Sequence, residues 1–223
     1  MKGAMWILFL LLLCCCKSGY SQEKDSAVSK VEWPMIAGYQ KILPLGKLRK
    51  NAGNFDGFFA GFQFPLGKKA QHIIGAQLSA AWGGDRNNPV LFYHEGEELE
   101  TYIKEIYGLL ISYNRFFYVI PDRFLLTTNA GIGYQKYGSG AKVKVLDKTT
   151  IPYRDKYIDL ESGAPLLNAG VGLRYKIKKF WPLGVQYSFN YAPSRLFSEK
   201  IERGIGGSYG QLSIYTGFFI PAF

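Results

Sequence analysis

Leu183-Gly184-Val185-Gln186-Tyr187-Ser188-Phe189-Asn190-Tyr191 alternates without a break, with Leu183, Val185, Tyr187, Phe189 and Tyr191 on one side and Gly184, Gln186, Ser188 and Asn190 on the other. Successive side chains of a strand point to opposite faces, so a period of two over this length predicts a β-strand. Its two faces differ in kind: one is greasy, the other small and polar. A sheet that faced water on its polar side would carry Lys and Glu there. Gly, Gln, Ser and Asn suit a crowded, hydrogen-bonded interior better, which leaves the greasy face outside.

The same split recurs on either side of this segment. In 123–136, Phe124, Leu126, Thr128, Ala130, Ile132 and Tyr134 alternate with Leu125, Thr127, Asn129, Gly131, Gly133 and Gln135. Residues 72–82 set Ile74, Ala76, Leu78, Ala80 and Trp82 against Ile73, Gly75, Gln77, Ser79 and Ala81, and residues 165–175 set Leu167, Ala169, Val171, Leu173 and Tyr175 against Leu166, Asn168, Gly170, Gly172 and Arg174. Three less regular strands are expected at 55–64, 99–113 and 209–220. In 99–113 the outward row (Ile103, Tyr107, Leu109, Ile111, Tyr113) is interrupted by Glu105.

Link lengths order these strands. Short links (65–71, 114–122, 176–182) alternate with long ones (83–98, 137–164, 192–208), the pattern of a barrel with tight turns at one end and large loops at the other. An even strand number then requires one more strand before 55, and 33–43 is the candidate, with the weakest alternation of the eight. Trp82, Tyr134, Tyr191 and Tyr209 fall at the expected outer strand ends. Tyr113, Phe116, Phe117, Tyr118, Phe180 and Trp181 fall at the inner ends, as the aromatic belts of a membrane interface require. The expected fold is all-β, an eight-stranded antiparallel up-and-down transmembrane β-barrel. Closure leaves no unpaired edge in lipid, and eight strands leave a lumen filled by side chains, with inward glycines relieving the crowding.

The N-terminus supports export. Lys2 precedes an apolar run to Cys16 that is too short to span a bilayer as a helix, and Gly19-Tyr20-Ser21 offers small residues at the cleavage position. Residues 1–21 therefore read as a signal peptide, 22–32 as a periplasmic leader and 33–223 as the barrel. Cys14, Cys15 and Cys16 all lie in the removed part, where they serve as apolar filler or, in the alternative, as a lipid-attachment site. Loss of 1–21 removes Lys2 and Lys17 and no acid, which takes the net charge from +10 to +8. Those cations are scattered among turns and loops, so anionic lipid suits them better than nucleic acid.

These features resemble the small outer-membrane barrels of the OmpA, OmpX and OmpW kind, particularly the compact barrels of Bacteroidota. The likeness spans about residues 33–223 and includes a C-terminal Phe223 similar to the signal read by the barrel assembly machinery. In size and layout the chain also looks similar to the TraO-type barrel of conjugative transposons. The resemblance implies a bacterial outer-membrane location, contact with outer-membrane lipid and lipopolysaccharide, handling by the assembly machinery and a possible envelope partner.

Chemistry is sparse. The chain has two histidines, His72 and His94. His72 is expected in a solvated turn, and His94 in an acidic loop, Tyr93-His94-Glu95-Gly96-Glu97-Glu98, with too few converging ligands for zinc. Barrel-type lipid A deacylases resemble one another in a His-x-Ser-Asn run. The nearest stretch here, Gln186-Tyr187-Ser188-Phe189-Asn190, has Gln186 where the base belongs. His94 and Ser188, with Ser208, are the weak enzymatic candidates. Lys104, Asn129, Arg174, Gln186 and Asn190 are expected to face the lumen as a plug of hydrogen bonds. The reading is a non-enzymatic barrel with no cofactor or metal, structural or binding through its extracellular loops. The alternatives are a lipid-modifying enzyme, a component of a conjugation or secretion apparatus, or a small channel.

Overall fold

The computed structural model describes residues 35–66, 71–83, 90–94, 97–120, 124–147, 152, 154–176, 182–193 and 207–218. Expectations that concern the signal peptide, its cysteines, the leader, Trp33, Phe180, Trp181 and Phe223 lie outside those residues.

Eight strands close into one up-and-down antiparallel barrel. They are β1 (Met35–Pro44), β2 (Phe55–Leu66), β3 (His72–Gly83), β6 (Glu105–Ile120), β7 (Phe124–Asp147), β8 (Arg154–Lys176), β9 (Pro182–Ala192) and β10 (Gly207–Phe218). A short helix, α1 (Gly46–Asn51), lies between β1 and β2, and a separate two-stranded hairpin, β4 (Val90–His94) with β5 (Glu97–Thr101), lies between β3 and β6. The weakest strand of the sequence is fully engaged: β1 pairs with β2 on one side and closes the barrel against β10 on the other. Its alternation reads poorly because Lys41 faces outward and Ile42 is buried. Both lie at the end of the strand, where Lys41 stands opposite Asp56 and Ile42 joins an apolar cap.

The register sets the dimensions. Followed through direct partners, Leu66 leads to His72, Arg115, Thr128, Val171, Tyr187, Leu212 and Lys41, and the path re-enters β2 at Asp56, ten residues from its start. Such a stagger in eight strands corresponds to a tilt of roughly 40° and a lumen just wide enough for side chains.

Side-chain polarity is inverted relative to a soluble barrel. Phe58, Ile111, Ile132, Leu167, Val171, Leu173, Tyr187, Phe189 and Ile214 stand exposed on the outside, while Gln40, Gln63, Asn129, Gln135, Asn168, Arg174, Ser188, Asn190 and Ser213 are buried within.

Three expectations need correction. The strand expected at 99–113 is broken: Leu99 and Thr101 belong to the β4–β5 hairpin, residues 102–104 are irregular, and the barrel strand begins at Glu105. Within that break Ile103, expected outside, is fully buried, and Lys104, expected in the lumen, is exposed. The parity was carried through a stretch that is not strand. The supposed loop 137–164 is mostly ordered, since β7 and β8 run on beyond their barrel neighbours as one long hairpin, interrupted in register between Gly138 and Lys142. Tyr209, counted in the outer aromatic belt, and Phe116, counted in the inner one, turn inward and are buried.

Candidate functional site

Among the described residues the lumen holds most of the buried polar groups, and five of the amides that line it form one connected ladder. Asn129 Nδ2 donates to Asn168 Oδ1, Asn168 Nδ2 to Asn190 Oδ1 at 2.8 Å, Asn190 Nδ2 to Gln211 Oε1 at 3.4 Å, and Gln211 Nε2 to Gln40 Oε1 at 2.9 Å. These five amides come from β7, β8, β9, β10 and β1 in turn, so the ladder crosses the seam where the first and last strands meet. An amide carries both donors and an acceptor, which lets each member accept from one neighbour and donate to the next. Gln186 Nε2 donates to Ser188 Oγ at 2.9 Å below the ladder.

Toward the short-turn end the lumen is crossed by Arg174. Its Nε donates to Tyr215 OH at 2.8 Å and its Nη1 to Gln63 Oε1 at 3.1 Å, while the guanidinium lies 4.4 Å from the Phe116 ring centre and 5.2 Å from that of Tyr215. The Tyr215 ring occupies the space over Gly184, its direct partner on β9, where any Cβ would overlap it. Glycine is required there for that close approach.

At the opposite end the mouth is closed by apolar side chains. Ile42, Leu48, Ala52, Phe55, Ile103, Ile106, Tyr137, Leu166 and Tyr209 belong to one buried cluster to which all the neighbouring strands contribute, and Leu48 of α1 is its topmost stopper with no exposed surface. The helix is tied to β10 by Leu45 N–H donating to Ser208 O at 2.8 Å, and its last turn is closed by Ala52 N–H donating to Leu48 O at 2.8 Å. Between stopper and ladder lies a cavity of about 10 Å3, the space of about one water, lined by Gln77, Ser79, Gln135, Asn190 and Gln211 among others. Leu48→Ala is expected to lower stability by about 2 kcal/mol, the low end for a core leucine because a rim site can settle. The shift of the urea midpoint checks this.

The other residues singled out in the sequence do not converge. His72 stacks on Tyr113 with ring centres 5.9 Å apart, and its Nδ1 hydrogen-bonds the Tyr113 hydroxyl, so it is engaged at the foot of β3 rather than free in a turn. Ser188 is buried inside the barrel. His94 pairs in register with Glu97 in the outer hairpin, and its side chain lies outside the described residues. Among the described residues no group of three or more His, Cys, Asp or Glu is placed to hold a metal. Asn129, Arg174, Gln186 and Asn190 are in the lumen. Sequence reasoning left out Gln40, Gln63, Asn168 and Gln211, although each shares the inward parity of its strand. On the long hairpin Lys144 pairs with Asp155 at 2.8 Å, and that hydrogen bond holds the ammonium pKa above its ordinary value.

No protein-family model and no curated protein matches the chain. Among solved structures it is similar to Neisserial surface protein A, with a TM-score of 0.48 and 12% identity over 83% of this chain and 94% of that one. It is also similar to Ail, the attachment invasion locus protein of Yersinia pestis, with a TM-score of 0.42 and 9% identity over 82% and 95%. The outer membrane protease OmpT from Escherichia coli matches with a TM-score of 0.33 and 9% identity over 84% and 94%. The chain is a closed eight-stranded antiparallel barrel, apolar outside and polar within.

Proposed function

We propose that the protein spans the bacterial outer membrane as a sealed, non-enzymatic barrel and acts through the elements that rise from its loop end. The observation that carries this reading is the outward apolar belt. At a tilt of roughly 40°, the ten-residue stagger corresponds to about 25 Å along the barrel axis, the height of the lipid-facing band of such barrels. Trp82, Tyr134 and Tyr191 stand exposed toward the top of that band, and the charged pairs Lys41–Asp56 and Lys136–Glu161 lie at or above it. Water would penalise so continuous an exposed apolar surface, whereas hydrocarbon does not.

A sealed lumen supports a structural or binding role over a channel. The apolar stopper, the amide ladder and the Arg174 bridge block the axis in succession, so planar bilayers that contain the protein are expected to show no discrete conductance steps. Regular openings would revive the channel. The position of Ser188 inside a filled barrel keeps it from lipid and weakens the lipid-modifying alternative. Comparison of lipid A by mass spectrometry, with and without the protein, tests that alternative directly.

Two measurements test the main reading. Folded protein should migrate differently on gels before and after boiling, as membrane barrels do, and unchanged migration would count against insertion. Among the described residues the hairpin beyond Gly138 has no strand partner but its own other arm, through Lys142–Asp147 and Arg154–Asp159. Deletion of residues 141–160 should therefore leave the gel shift intact and remove the binding phenotype. A phenotype that survives would locate binding elsewhere.

A further inference from the structure

Ser79 on β3, Gly108 on β6, Gln135 on β7 and Ala164 on β8 stand in direct register near the mouth of the lumen. Gly108 leaves a gap between the Ser79 and Gln135 side chains. A Cβ built on it would meet Ser79 Oγ at 2.7 Å and, apart from its chain neighbours, no other atom within 4 Å. All three residues line the cavity of about 10 Å3 between stopper and ladder, together with Gln77, Asn190 and Gln211. Gln135 is 1% exposed, and its Oε1 accepts from Tyr209 OH at 2.7 Å, but its Nε2 has no protein partner. Among the described residues the other buried side-chain polar atom of this kind is Tyr137 OH, and Tyr137 does not line the cavity. A buried donor that meets no acceptor carries its desolvation cost in full.

We infer that this cavity is a binding site for one water molecule, which accepts from Gln135 Nε2 and donates to Ser79 Oγ across Gly108. Size and chemistry select the ligand. A volume of about 10 Å3 admits one water and nothing larger. The buried N–H calls for an acceptor, which a metal or ammonium cation is not. An anion would need a positive partner, and Arg174 is engaged toward the opposite end of the lumen. Apolar cavities stay dry, whereas one lined by amides and a hydroxyl gives a water the two to four partners it needs. The water extends the polar structure of the lumen to a new strand. β3 takes no part in the amide ladder, and the water ties its Ser79 to Gln135 of β7 and, through that amide, to Tyr209 of β10. The site is enclosed by the barrel, so it stands independently of the outer-membrane reading.

The test is a high-resolution crystal structure of the full exported chain and of Gly108→Ala, each first shown to be folded by its heat-dependent gel shift. The wild type should show one isolated density peak within about 3.2 Å of both Gln135 Nε2 and Ser79 Oγ. In Gly108→Ala the added methyl occupies that space, so the peak should vanish while the barrel and the Tyr209–Gln135 hydrogen bond remain. No peak in the wild type overturns the proposal, as does a peak that touches only one of the two residues. A peak that survives in Gly108→Ala overturns it as well, because the water then lies elsewhere. Should Gly108→Ala fail to fold, Gln135→Leu is read in its place: it removes the donor and adds no bulk at Gly108, and the peak should again be lost. Its persistence there would show that Gln135 does not hold the water.

Discussion

Val171→Arg should destabilise the folded barrel by about 2–4 kcal/mol in lipid vesicles, while Tyr157→Arg should change it by no more than about 0.5 kcal/mol. The two positions are alike in exposure, at 55% and 61%, so burial in the protein predicts no difference between them. They differ in height. Val171 is the fourth step on the register path from Leu66 and lies four steps short of its return at Asp56, which puts it midway up the apolar belt. Tyr157 faces Lys144 on the part of the hairpin that has left the barrel. A guanidinium at mid-bilayer must deform the lipid or drag its side chain to the interface, a cost that fades toward the headgroups. Urea unfolding of both variants in phosphocholine vesicles gives the comparison. Equal midpoints would mean that the greasy face does not meet hydrocarbon.

That the greasy face is the outer one was legible in the sequence, because the opposite face offers Gly, Ser, Asn and Gln in 183–191, 165–175 and 123–136. Periodicity alone gives two faces and no sign. Composition supplied the sign. Parity also assigned Asn129, Arg174 and Asn190 to the lumen, where they are buried. It failed where the chain stops being a strand: three irregular residues, 102–104, moved Ile103 inside and Lys104 outside. Tyr209 shows a second limit. An aromatic at a strand end suits an interface belt, but its inward parity and the hydroxyl acceptor at Gln135 Oε1, 2.7 Å away, draw it into the mouth.

The amide ladder was less legible for a different reason. Each member is a short-range fact of one strand, whereas the ladder is a property of the register between five. Gln40 and Gln211 bond only because β1 and β10, at opposite ends of the chain, close the barrel. No local pattern reports a contact across 171 residues. The long hairpin had the opposite difficulty: residues 137–164 are rich in Gly, Lys and Asp and read as a loop, yet β7 and β8 continue to pair there because each already has the other as a neighbour. Extending an existing ladder spares the entropy of starting a new one.

The largest effect is expected inside the barrel. Arg174→Leu should cost about 4 kcal/mol, the loss of two hydrogen bonds made by a charged donor together with its ring contacts. Arg174 springs from β8 and reaches Gln63 on β2, Tyr215 on β10 and Phe116 on β6, strands that are not its neighbours, so it clamps the barrel across its diameter. A leucine would fill part of the space but leave Gln63 Oε1 and the Tyr215 hydroxyl without that donor in a lumen with little water, where an unmet polar group carries its full desolvation cost. Arg174→Lys separates charge from shape. The ammonium keeps the positive charge but cannot fork to two acceptors while lying flat on a ring, so about half of the loss should return. Urea midpoints in vesicles rank the three proteins. If leucine unfolds at the wild-type midpoint, the clamp contributes nothing, and if lysine matches arginine, charge alone holds the lower lumen together.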